Sequence, residues 1–187
     1  LVLESLGINR LWPSNPVNRR FRALDLDLSR EQFVEQPAGA MLMVRRDVWE
    51  SLGGFDEQFH PVWFEDVDFC KRAIANGNRI GYTPAASAIH AGGHSVDRMP
   101  DSARLRAWYG SLLRYAAKHL PGLAFRLVCA SVAVGCGLRL ATAVVGGLVG
   151  LSAGGSLPDM VRMLSQTGRS MLTGQVAFPL PPMEVSE

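Results

Sequence analysis

The chain has 187 residues, enough for one ordinary domain, with 48% apolar and 19% charged residues and a net charge of +2. So small a charge argues against a dedicated nucleic-acid binder, and the composition is that of a globular domain. The charge is nevertheless uneven. Residues 1–100 hold 13 acids against 11 bases, whereas residues 102–158 contain no acid and carry Arg104, Arg106, Arg114, Lys118, Arg126 and Arg139. That half suits an anionic partner such as phospholipid.

Residues 1–36 read as an irregular lead-in, with "WPSNP" as a turn and Arg19, Arg20 and Arg22 as a basic cluster. No signal-peptide pattern is visible in residues 1–22, where Glu4, Arg10 and two prolines interrupt any apolar run. The chain lacks an initiator Met and begins in mid-pattern, as a fragment would. "PAGAMLMVRR", residues 37–46, is a short apolar run entered through Gly39, and a buried strand is expected there. In "RDVWESLGG", Asp47 is placed to cap a two-turn helix that Gly53 and Gly54 end.

The next stretch, "FDEQFHPVWFEDVD", sets five carboxylates among phenylalanine, tryptophan and valine. From Glu65 to Asn76 the spacing of Val67, Cys70 and Ile74 predicts a helix, with Asp68 and Arg72 as an i,i+4 pair and Gly77 as the stop. "RIGYTP" and "ASAIHAGG" read as two short extended segments separated by Pro84. "SARLRAWYGSLLRYAAKHL", residues 102–120, is an amphipathic helix with Leu105, Trp108, Leu112 and Tyr115 on one stripe. Beyond Pro121 glycine, alanine, valine and leucine dominate, and the tail after Phe178 is proline-rich and expected to be loose. Cys70, Cys129 and Cys136 have no metal-finger spacing and read as buried thiols of a reducing compartment.

Glu65 and Asp66 fall at a predicted helix start, where exposed amides and the positive dipole end favour ionised carboxylates. Helix capping, helped by Asp68, is the plain alternative to a chemical role. Trp63 and Phe64 beside the pair supply an apolar wall, which a site needs and a cap does not. His90 precedes "AGG", where the backbone admits a ligand closely. His90 and His94 have the spacing of helical metal motifs, but Gly92 and Gly93 between them argue against a helix.

Taken in order, "GA" before an apolar run, "RRDVWESLGGFDE", an "ED" pair opening a helix, "GNRIGYTP" and a histidine near "GGHS" resemble the C-terminal half of the catalytic domain of family 2 glycosyltransferases, in particular the bacterial rhamnosyltransferase-like branch. The likeness is close over residues 34–95 and loose over 96–175. It implies an α/β fold of the GT-A (Rossmann-like) type, with residues 1–120 as the acceptor-side half and the nucleotide-binding half absent. It further implies inverting transfer of a sugar from a nucleotide-sugar donor to a glycan or lipid-linked acceptor in cell-surface polysaccharide synthesis. Asp66 would be the general base. Glu65, Trp63, Gly39, Ala40 and His94 would contact substrates, and His90 would ligate Mg2+ or Mn2+ at the donor diphosphate. Asp25 and Asp27 match the family's Asp-x-Asp by letter but lie too late in the chain to be that motif. Alone, the chain is expected to lack transferase activity.

Residues 121–175 form a glycine-rich basic region, and 176–187 a flexible tail. Twelve uncharged residues separate Arg126 from Arg139, and 19 separate Arg139 from Asp159. Against the ~20 that a span needs, the first is short and the second borderline. Gly146, Gly150 and Gly154 repeat at G-x-x-x-G spacing. Helices on a membrane surface, buried or homo-oligomer-forming helices and a true span all fit; the basic flanks favour the first, at the cytoplasmic face of the cell membrane. Two other classes compete with the transferase: a zinc metallohydrolase using Glu65, Asp66, His90 and His94, and a non-catalytic membrane or assembly module with the acids as caps.

Overall fold

The computed structural model describes residues 1–37, 39–92, 96–97, 99–148 and 157–179. The lead-in is more ordered than its sequence suggests. It holds three short helices, α1 (Val2–Ser5), α2 (Ile8–Leu11) and α3 (Pro16–Phe21). The turn expected in "WPSNP" forms at Pro13 and Ser14, closed by the Asn15 amide donating to the Trp12 carbonyl, and α3 starts directly after it. Asn15 accepts a hydrogen bond from the Asn18 amide and Pro16 occupies the first helical position, so the turn leads straight into a helix.

Strand β1 (Gln32–Phe33) then pairs antiparallel with β2 (Gly81–Tyr82), with Gln32 opposite Tyr82. Arg79 lies over the Phe33 ring and the Tyr82 hydroxyl donates to the Leu28 carbonyl, so the ladder is fastened at its edges. This is the one sheet among the described residues. The α/β expectation is met only in part: helices dominate, and the described strands are two residues each, paired antiparallel with no parallel Rossmann-like unit among them. The expected buried strand at 37–46 is not formed: Gly39–Met41 makes one 3-10 turn, and Met43 is 96% exposed. Nor does 85–92 form a strand; its residues are exposed. The physical reason is the same for both. A strand exists through its ladder, and no neighbour among the described residues offers these backbone groups one.

Helix α4 (Arg46–Leu52) ends at Gly53 and Gly54, both left-handed as expected, although Asp47 bonds Arg45 and does not cap. Helix α5 (Glu65–Ala75) stops at Asn76 and Gly77, where φ is +82°. Helix α6 (Asp101–His119) follows, with Leu112 and Leu113 fully buried. Helix α7 (Gly122–Leu148) is continuous for 27 residues through the glycine-rich region. Packing overrides the weak intrinsic propensity there. Gly135 shows how: a Cβ on it would lie 2.1 Å from the Ser5 carbonyl oxygen, so α1 rests directly on the α7 backbone. Of the G-x-x-x-G positions, Gly150 and Gly154 lie outside the described residues.

Helix α8 (Leu157–Thr173) packs along α7. One core joins Phe59, Phe64, Leu112, Val132, Met163 and Phe178, and therefore runs unbroken across Pro121. The three cysteines are buried free thiols, as expected. Burial pushes Cys70 and Cys129 to about 11, which keeps them protonated and inert.

Candidate active site

The site is built around the first turn of α5. The segment before it is pinned from outside, because Ser111 of α6 donates to the Val62 carbonyl at 3.1 Å. Trp63 stands edge-on to Trp108 at 5.4 Å between ring centroids, and Phe64 is buried between Trp108 and Tyr115. Trp63 and Phe64 have φ of +72° and +73°. Two successive bulky residues in the left-handed region cost ~1–3 kcal/mol each, and such strain survives only where the surroundings impose it. Here α6 imposes it, and the result turns the chain sharply into Glu65 and Asp66.

Asp66 is held by two backbone amides. Its Oδ2 accepts from the Gly39 amide at 2.8 Å and its Oδ1 from the Val67 amide at 2.8 Å. The sequence expectation put Gly39 and Asp66 in one site, and the structure joins them across 27 residues of chain. Gly39 is needed for a steric reason: a Cβ there would stand 2.9 Å from Asp66 Oδ2 and 3.0 Å from its Cβ. Ala40 follows in the same 3-10 turn and is exposed. Each carboxylate oxygen has a second lone pair, so an incoming hydroxyl still finds an acceptor on Asp66.

Glu65 is different. Its Oε2 is buried with no hydrogen-bond partner. Burial pushes its carboxyl above the ordinary range, its own backbone hydrogen bond opposes this, and the neighbouring Asp66 charge adds to the rise.

The sequence reading gives Asp68 only its pair with Arg72 and a share in capping the helix, yet it is the hub of the local structure. It is fully buried and meets Arg72 at 2.7 Å, Lys118 at 2.8 Å and His119 at 2.7 Å. Burial is the largest influence and raises its pKa, but the hydrogen bonds from Lys118, Arg72 and His119 outweigh it and hold the carboxyl below its usual range. Arg72 also donates to the Leu52 and Gly54 carbonyls, and Lys118 reaches Asp56 at 2.6 Å. The hub thus ties α5 to the end of α4 and the last turn of α6. No local pattern reveals it, since Asp68 and His119 are 51 residues apart.

His90 lies in the exposed segment between β2 and α6, and His94 is outside the described residues. Among the described residues no three His, Cys, Asp or Glu side chains are grouped as a metal site, so His90 presents a single imidazole and does not by itself hold an ion. The zinc hydrolase reading gains nothing from this arrangement.

A loop glycine clamping the second of two acids at a helix start, beside a strained aromatic turn, is the site to which the comparisons with known proteins apply. The sequence model of glycosyl transferase family group 2 matches residues 21–173, and the chain belongs to that family. It is similar to N-acetylglucosaminyl-diphospho-decaprenol L-rhamnosyltransferase of Mycobacterium tuberculosis, 37% identical over 91 residues, 49% of this chain and 29% of that protein. It is similar also to the pre-mycofactocin glycosyltransferase of the same organism, 32% identical over 155 residues, 73% of this chain and 32% of that protein. Rhamnosyltransferase WbbL of Escherichia coli is 34% identical over 85 residues, 46% of this chain and 31% of that protein. The chain thus spans about a third of the length of these relatives. No solved structure matches it.

Proposed function

We propose that the chain carries the acceptor side of an inverting glycosyltransferase. It would move a sugar from a nucleotide-sugar donor to a glycan or lipid-linked acceptor in cell-surface polysaccharide synthesis, at the cytoplasmic face of the cell membrane. The observation that carries the reading is the fixed carboxylate of Asp66 at the start of α5, in a chain of this family. The names of the relatives, two of them rhamnosyltransferases, support a deoxyhexose donor.

In this reading the acceptor hydroxyl donates to Asp66 as its oxygen attacks the anomeric carbon. The bond from that carbon to the diphosphate breaks on the opposite face, and the nucleoside diphosphate leaves with the electron pair. The proton ends on Asp66. General-base help of this kind contributes ~10²–10⁴-fold in rate. Glu65 and Trp63 flank the base and are placed to orient the acceptor, Glu65 through its unpartnered oxygen and Trp63 through its ring. Ala40 and His94 complete the proposed substrate contacts. A Mg2+ or Mn2+ at the diphosphate would take His90 as one ligand, with the others from outside the described residues, and would offset the charge of the leaving group. The donor side would be supplied from outside the described residues, which contain no parallel βαβ unit.

The test is Asp66→Asn in the enzyme that includes the nucleotide-binding half. Transfer should fall by ~10²–10⁴-fold with nucleotide affinity and melting temperature nearly unchanged. Turnover at the wild-type rate would remove Asp66 from the mechanism.

A further inference from the structure

Helix α7 leaves one side unpartnered. Leu123, Leu127, Val134, Leu138 and Val145 are exposed and recur at three- to four-residue intervals or their multiples, so they share one face. Helix α8 repeats the arrangement with Leu157, Val161 and Leu172 exposed on one ridge. Arg162 and Arg169, seven residues apart, run beside that ridge, about 100° round the helix. Arg126 is exposed near the start of α7. Among the described residues none of these three arginines meets a carboxylate. The acid of α8, Asp159, is already paired with Arg106 at 2.6 Å.

We infer that the exposed faces of α7 and α8 form a docking surface for an anionic lipid bilayer, on which the two helices lie flat. Three features select this occupant. First, residues 122–145 are long and apolar enough to cross a membrane. A crossing is nevertheless blocked, because α7 packs along α6 and α8, and these would carry Arg104, Arg106, Lys118, Arg162 and Arg169 into hydrocarbon. Second, exposed leucines and valines in these numbers gain free energy by leaving water, and the headgroup boundary accepts them from one side. Third, a second copy docked face to face would bring unpaired arginines against each other, whereas phosphate headgroups neutralise them. The inference is independent of the transferase chemistry: its failure leaves the function of Asp66 untouched.

The experiment is co-sedimentation of the 187-residue chain with vesicles of phosphatidylcholine alone or mixed with phosphatidylglycerol. The chain should bind the mixed vesicles and leave them as salt is raised. An arginine near an anionic surface is worth about fivefold in partition, so Arg126→Glu, Arg162→Glu and Arg169→Glu together should lower binding by about a hundredfold or more. Leu127→Gln with Leu138→Gln should weaken binding while preserving helicity and melting temperature. Absence of binding at low salt, or binding indifferent to both salt and charge reversal, would overturn the inference. So would a concentration-dependent dimer that the leucine variants dissolve in a chain that ignores vesicles, which would give the face to a second copy. If the charge-reversed chain fails to fold, the salt titration of the wild type still decides.

Discussion

Gly39 and Glu65 are the residues at which a small change should be most informative. Gly39→Ala places a methyl group 2.9 Å from Asp66 Oδ2, and the carboxylate must turn or the loop must retreat. Gly39 needs no left-handed backbone, so the fold itself tolerates alanine. A displacement of ~1 Å in a reacting group costs ~10²-fold in rate, and that loss with an almost unchanged melting temperature is the expected outcome in the complete enzyme. Full activity of the alanine variant would show that the amide clamp is idle. Glu65 carries the opposite signature. Its folded pKa is raised by burial, so the charged form costs stability at any pH above that folded value, and the cost is relieved as the pH falls through it toward the unfolded value. Glu65→Gln should therefore raise the melting temperature by a few degrees at neutral pH, as ~1 kcal/mol does for a domain of this size, while impairing acceptor binding. A drop in melting temperature would mean that the carboxylate is paired and stabilising. Both residues were singled out by the "GA" and "ED" pairs, but whether each binds substrate or fixes its neighbour was not legible there, because that depends on which atom each one faces.

At the scale of elements, α5 is held by a buried ionic cluster beside the apolar contacts of Phe69 with Trp49 and Phe55. Asp68 collects Arg72 from its own helix and Lys118 and His119 from α6, all within 2.8 Å. Removing one member of a buried ionic cluster leaves the others uncompensated, and Asp68→Ala should cost ~3–5 kcal/mol of stability at neutral pH. The pH dependence follows from the lowered pKa of Asp68. A depressed carboxyl stabilises the fold fully above its unfolded pKa of ~3.9 and loses that contribution as the pH falls through the folded value. Urea melts from neutral pH downward should therefore show the wild-type advantage over the variant shrinking below about pH 4. A gap that stays constant with pH would assign the loss to packing alone. The helices themselves were largely readable: the spacing in 65–76 with its Gly77 stop and the spacing in 102–120 predict α5 and α6 to within a residue. The strands were legible only in part: β2 lies in the expected extended segment "RIGYTP", but the short apolar run at 41–44 becomes a strand only with a partner beside it, and partnership is not written in the run.

At the scale of the whole molecule, an acidic working half and a basic helical half share one core. Phe59 and Phe64 from the acidic half pack with Val132 and Met163 from the basic half, so the turn that presents Glu65 and Asp66 is rigidly tied to the helices proposed to rest on lipid. With Asp66 in the proposed base role and α7 and α8 on lipid as inferred, this shared core would hold that carboxylate at a set distance from the surface. The charge asymmetry behind this arrangement predicts that lipid binding weakens steeply with salt, since the Debye length shrinks from ~10 Å at 0.1 M to ~3 Å at 1 M. Vesicle binding that is unchanged across that range would mean that apolar burial alone holds the chain to the bilayer.

The order of short motifs was sufficient by itself to place the chain among the family 2 glycosyltransferases, and helical spacing, with glycine stops for α4 and α5, was sufficient for α4 to α6. These are local properties, set by contacts within a turn or two. The Gly39 clamp on Asp66, the Asp68 hub, the rest of α1 on Gly135 and the exposed face of α7 were decided only by tertiary structure. Each depends on residues tens to more than a hundred positions apart meeting, or failing to meet, a partner in space, and periodicity along the chain carries no information about such meetings.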